Sequence, residues 1–216
     1  MKKISLIIVL CGVIGFQLFS QENQNVKFSG KSGYGYFTNI FGLFDDDEYY
    51  IPGNEPGQPG RMLWMEYQYH YKDNMSVGLL FGSGIVKFTH GDIFDQDILN
   101  SRVNDEYWMF GFNFYRYLNF KNSNLSVGVG PVYIDMKSPQ ISYMIEPAYV
   151  NGEAGYVYSN LKMDYYKDQM LGVNLDINFS YKVYKGLYTG LKCNTSVVMY
   201  YGLESFLLSP YLEFRF

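Results

Sequence analysis

The chain has 216 residues, with 17 basic and 21 acidic side chains and a formal net charge of −4. Hydrophobic residues make up 48% and aromatics 19%, which argues against a disordered or collagen-like chain, and two cysteines argue against a disulfide-stapled miniprotein. No basic excess points to nucleic acid as a partner.

Residues 1–20 read as a secretory signal peptide: Lys2 and Lys3, an apolar run from Leu6 to Phe16, then Ser20 before polar Gln21-Glu22-Asn23. The run is too short to span a bilayer as a helix, and no later segment has the ~20 continuous apolar residues that one needs. Cleavage after Ser20 leaves residues 21–216 as one domain. It removes Cys11 and leaves Cys193 alone, so this exported domain is expected to lack an internal disulfide.

From there the dominant pattern is alternation with period two, the signature of strands with unlike faces. It marks eight segments: Val26 to Tyr36, Leu63 to Tyr71, Met75 to Ile85, Tyr107 to Phe114, Leu125 to Tyr133, Leu171 to Tyr181, Leu187 to Val197 and Phe206 to Phe216. Most are longer than the ~5–6 residues of ordinary strands and match the ~9–11 of tilted membrane strands. Connections alternate as well. Residues 39–60, 89–104, 136–160 and 198–206 are expected as long loops, and 72–74, 118–124 and 182–186 as short turns. The pattern predicts an all-β fold: an eight-stranded antiparallel up-and-down transmembrane β-barrel, with both termini on the short-turn side. The long loops hold eleven acidic residues and two basic ones. The turns hold Lys72, Lys121, Lys182 and Lys185 against Asp73 alone.

Alternation does not by itself say which face is inside. A lipocalin-like barrel buries its apolar face, and a membrane barrel turns it out. Here the polar face is built from Gly, Ser and Asn, which suit a crowded narrow lumen. Aromatics such as Tyr34, Tyr36, Tyr67, Tyr69, Tyr71, Trp108 and Tyr181 gather near strand ends on the other face, as interfacial girdles do. The last strand runs Leu208, Pro210, Leu212, Phe214, Phe216 at every second position. In this the chain resembles the small bacterial outer-membrane β-barrel proteins of OmpA transmembrane-domain, OmpX or OmpW type. The resemblance implies a bacterial outer-membrane location, with lipid around the barrel, loops outside the cell and termini in the periplasm. It also implies that Leu212, Phe214 and Phe216 form the signal read by the barrel-assembly machinery. Pro210 is unusual in mid-strand and suggests a bulge or strand end.

The inward ionisable residues are expected to be Lys27, Lys31, Glu66, His70, Asp176, Lys192, Glu213 and Arg215. A turn centred on Tyr184 would set Asp176 opposite Lys192, and Glu213 and Arg215 would meet Lys27 or Lys31. Two readings stand side by side: a near-neutral network that plugs the barrel, and a polar path for small solutes.

Chemistry in the loops is sparse. Asp45, Asp46, Asp47 and Glu48, and the trio Asp92, Asp95 and Asp97, offer oxygen ligands to a divalent cation, yet neither has the spacing of a calcium loop. A solvated acidic surface accounts for both. The chain has two histidines, His70 and His90. The triplets His70-Tyr71-Lys72 and His90-Gly91-Asp92 lack the His-x-Ser pair of barrel lipid A deacylases. His90 with Asp92 and Asp95 only faintly echoes the outer-membrane aspartyl-type proteases. No complete catalytic constellation is present, so the expectation is a non-enzyme without cofactor or resident metal. Tyr49, Tyr50, Tyr143, Tyr149, Tyr156 and Tyr158 in the long loops suit adaptable contact with an extracellular partner. They equally suit packing over the barrel mouth.

Overall fold

Alternating residues put one side chain up and the next down, and eight such segments build eight antiparallel strands. They are β1 (Phe28–Asn39), β2 (Pro59–Lys72), β3 (Met75–Lys87), β4 (Asn104–Asn119), β5 (Ser123–Val150), β6 (Glu153–Tyr184), β7 (Leu187–Val198) and β8 (Gly202–Arg215). Each strand pairs with its sequence neighbours, and β1 pairs with β8, which closes the barrel. Closure leaves no open edge in the barrel wall, the condition that hydrocarbon imposes on a spanning sheet. The computed structural model describes residues 27–39, 59–87, 104–150, 153–198 and 202–216. Residues 1–20, His90, and the acidic residues Asp45, Asp46, Asp47, Glu48, Asp92, Asp95 and Asp97 lie outside the described residues.

The apolar face is the outer one. Phe114 is 52% exposed and Ile177 52%, with Leu79, Phe81, Phe110, Phe112, Val127, Val129, Val173 and Leu175 also exposed. So large a continuous apolar surface has no place in water and matches lipid. Along β4 the apolar outer positions run between Arg116 and Glu106. At ~3.3 Å per residue and a ~40° tilt this span is about 25 Å tall, the height of an outer-membrane apolar band.

Two expected long loops are not loops. The segment 136–160 is a β-ribbon: β5 and β6 extend to 28 and 32 residues and stay paired as far as Val150↔Glu153. A bulge between Ser142 and Met144 interrupts the register once. The expected loop 198–206 is largely strand, because β7 runs to Val198 and β8 starts at Gly202.

Prolines shape the ladders. The β7–β8 register passes unbroken through Leu191↔Pro210, so Pro210 neither bulges nor ends its strand there. On the other side the β1–β8 register jumps from Gly33↔Tyr211 to Tyr36↔Leu208. Pro210 therefore turns its missing N–H toward β1. Pro131 does the same on β5: the β5–β6 ladder is continuous through Pro131↔Val173, while the β4–β5 ladder jumps from Gly111↔Val132 to Phe114↔Val129.

Candidate functional site

The lumen holds the densest polar chemistry, and it is divided in two along the axis. Its turn-side half is a hydrogen-bonded ion cluster. Lys192 on β7 lies 3.1 Å from Glu66 Oε2 on β2 and 2.8 Å from Asp176 Oδ1 on β6. All three side chains are buried. Asp176 also accepts from Asn113 at 2.8 Å, from Tyr115 Oη at 2.5 Å and from Asn194 at 2.7 Å. Gln68 donates to Glu66 at 2.8 Å and accepts from Tyr117 Oη. A buried charge without such partners would cost several kcal/mol, so every carboxylate oxygen has a reason to be occupied.

Lys31 sits opposite Glu66 on β2 and opposite Glu213 on β8. Its ammonium lies over three rings, 5.3 Å from the centroid of Tyr115, 5.9 Å from Tyr117 and 5.7 Å from Tyr211. Glu213 pairs instead with Arg215, at 2.7 Å through Nε, and the guanidinium stacks 3.9 Å from the Tyr188 ring centroid. His70 Nε2 lies 3.0 Å from Ser29 Oγ.

The loop-side half is predominantly apolar, against the expectation of a small polar lining throughout, with Thr38, Asp105 and Ser205 also buried toward that end. Met62, Leu80, Val86, Tyr107, Met109, Val132, Ile134, Met136, Met170, Val198 and Leu207 are buried there with Phe37. A Cβ placed on Gly82 would lie 3.0 Å from Met62 Sδ, so glycine there leaves room for the thioether. Trp64 is packed with both layers: its Nε1 donates to Ser209 at 2.9 Å, Lys192 Nζ lies 4.8 Å from its ring, and Tyr211 packs edge-on at 5.7 Å.

Of the expected lumen residues, Lys31, Glu66, Asp176, Lys192 and Glu213 are buried inside, and Arg215 and His70 are half-buried near the turn end. Lys27 is exposed just before β1 and stands apart from the cluster. The expected pairing of Asp176 opposite Lys192 is off by two: Asp176 faces Asn194, and Lys192 faces Asn178. The hairpin turns at Lys185-Gly186, with Gly186 at φ 75°, and not at Tyr184. Same-face diagonal neighbours remain within reach of a long side chain, so the ion pair forms all the same. Leu212 and Phe214 face outward and are exposed, and Phe216 pairs its backbone with Phe28 at 2.9 and 3.0 Å. Tyr115 and Tyr117, which bind the cluster, fall beyond the point at which alternation in β4 is clear. Arg116 between them occupies the lipid-side row, where its charge breaks the apolar alternation. Among the described residues, no group of three or more His, Cys, Asp and Glu side chains is placed to hold a metal ion.

The other distinctive feature is the ribbon. Pairing of β5 with β4 ends at Glu106↔Lys137, and pairing of β6 with β7 ends at Gly172↔Val198. Beyond those points β5 and β6 pair only with each other among the described residues. The ladder continues through Pro139↔Tyr165 and Pro147↔Tyr156. Both prolines therefore turn their missing N–H away from β6, toward the outer edge of β5.

No protein-family model matches the chain, and no curated protein sequence matches it. Solved structures do. Neisserial surface protein A aligns over 88% of this chain and 97% of its own, with 9% identity and a TM-score of 0.54. The attachment invasion locus protein Ail of Yersinia pestis aligns over 88% of this chain and 100% of its own, with 10% identity and a TM-score of 0.50. The N-terminal β-barrel domain of Pseudomonas aeruginosa OprF aligns over 89% and 100%, with 10% identity and a TM-score of 0.50. The fold is that of the small outer-membrane barrels. At such identities the likeness lies in strand number, pairing and closure, and the lumen cluster and the ribbon are described from this chain alone.

Proposed function

We propose that this chain is an exported, non-catalytic protein of the bacterial outer membrane. Its barrel anchors the β5–β6 ribbon at the cell surface, and β6 takes an extended segment of a partner polypeptide onto its free edge. In this reading the ribbon and acidic loops face outward, the termini face the periplasm, and the assembly machinery reads Leu212, Phe214 and Phe216. The ribbon carries the proposal. A two-stranded hairpin is marginal on its own in water, and an open edge is a template for another strand. Pro139 and Pro147 blunt the β5 edge, whereas β6 has no proline from Glu153 to Leu171. The edge on β6 is thus the one left able to pair.

The name of Ail refers to attachment, and that protein has also been solved with the heparin analogue sucrose octasulfate. A sulfated polyanion suits the present chain poorly. Asp45, Asp46, Asp47, Glu48, Asp92, Asp95 and Asp97 give its loops the wrong sign. A strand-like peptide, held by backbone groups, does not depend on that sign.

Tyr156 and Tyr165 sit opposite the two edge-facing prolines, so their N–H groups point to the free edge of β6. Tyr156→Pro removes one such donor and leaves the β5–β6 ladder intact. Partners cross-linked to the native ribbon in outer-membrane extracts should be lost with Tyr156→Pro, and lost also when residues 140–162 are replaced by a short Gly-Ser turn. Equal recovery with the ribbon excised would overturn the proposal. The filled lumen makes a second expectation: in planar bilayers the barrel should give no steady unit conductance. Stable current steps from the native protein would favour a narrow solute channel instead.

A further inference from the structure

We propose that Lys121, Lys182 and Lys185 form a binding site for the phosphodiester headgroup of an anionic phospholipid at the turn end of the barrel. This rests on the reading that the apolar exterior faces lipid.

The three lysines are exposed: Lys121 and Lys185 stand on adjacent turns, and Lys182 near the end of β6. Backbone hydrogen bonds join those turns. Lys182 N donates to Asn122 O at 2.8 Å, which locks β6 against the turn that carries Lys121. Phe120 N donates to Ser123 O at 2.8 Å and closes that turn. Arg215 N donates to Gly186 O at 2.8 Å and fixes the turn that carries Lys185. The backbone under the cations is thus held, while their side chains remain free to reach an anion.

Exposed apolar residues flank them in the chain. Phe120 is 60% exposed, Tyr184 74% and Val183 58%. Aromatic rings next to lysines are the arrangement of a membrane–water interface, with rings at headgroup depth and ammonium groups on the phosphates. The height agrees, because this turn end lies below Arg116, at the lower limit of the apolar band. Charge agrees too. Lys27, Lys72 and Arg116 are also exposed at this end, and outside the lumen Asp73 is the acidic side chain that opposes them among the described residues. The ion pairs of the lumen leave this surface charge unused: no described salt bridge includes Lys121, Lys182 or Lys185.

The test uses the full barrel in phosphatidylcholine vesicles, with spin-labelled phosphatidylglycerol or phosphatidylcholine as the probe. The native protein should retain phosphatidylglycerol about three- to tenfold more strongly, as expected for a few lysines at a membrane surface, and added salt should weaken the preference. The variant Lys121→Gln/Lys182→Gln/Lys185→Gln should bring the ratio close to one. Arg61→Gln/Lys167→Gln, at the other end, should leave it unchanged. Should the triple variant not fold, Lys121→Gln/Lys185→Gln alters only turn positions and should still reduce the ratio at least twofold. Equal retention of both lipids by the native protein overturns the site, as does full preference in the folded triple variant. Loss of preference with millimolar inorganic phosphate, but not with equal ionic strength of chloride, would mark a free-anion site and also overturn it. Failure to enter the vesicles at all would refute the membrane reading itself.

Discussion

A barrel carrying Lys192→Met is expected to lose about 3–5 kcal/mol of stability, the usual cost of leaving buried charges without their partner. Lys192 touches Glu66 at 3.1 Å and Asp176 at 2.8 Å, on strands from opposite parts of the chain. Removing the ammonium leaves two buried carboxylates without the cation they share. Urea titration in lipid vesicles, followed by tryptophan fluorescence and by the gel shift between folded and boiled protein, gives the midpoint. The triple variant Lys192→Met/Glu66→Gln/Asp176→Asn should recover most of the loss, since no charge is then stranded. An unchanged midpoint for Lys192→Met would mean that water reaches the carboxylates, and the lumen would no longer count as sealed.

Trp64→Ala should cost about 3–5 kcal/mol as well, by a different route. The indole belongs to the apolar cluster and also contacts the polar one. Its loss removes the hydrogen bond to Ser209 at 2.9 Å, the face under Lys192 and the edge contact with Tyr211. A cavity then opens between the two layers. Trp64→Phe keeps most of the volume and should recover at least half of the loss in the same titration. If Trp64→Ala matched the native midpoint, the indole would not join the two layers.

The strands and their faces could be read from alternation because one face meets lipid and the other a filled interior, so each residue has a single tolerable direction. The ribbon could not. Pro139, Pro147 and Gly152 look like loop residues, and the bulge near Met144 shifts the pattern between the two strands. Nor could the apolar upper lumen. Met62, Leu80, Met109 and Ile134 are as apolar as the lipid-facing residues beside them, so the two faces contrast weakly there. The members of the ion cluster were legible as inward charges, but its geometry was not. Lys192 meets Asp176 diagonally, and the offset depends on a hairpin turning at Gly186. Tyr115 and Tyr117 went unrecognised because Arg116 interrupts the greasy row that would have marked them as its inward neighbours.

The Glu66–Lys192–Asp176 contact bears on how such a barrel enters a bilayer. Its three members arrive on β2, β7 and β6, so no early hairpin contains the whole set. The β6–β7 hairpin already brings Lys192 to Asp176, at 2.8 Å, whereas Glu66 on β2 meets that lysine only across the lumen. Only the closed cylinder gives Lys192 both of its carboxylates. The Glu66–Lys192 contact, at 3.1 Å, is thus one that the finished ring makes and a lone hairpin does not.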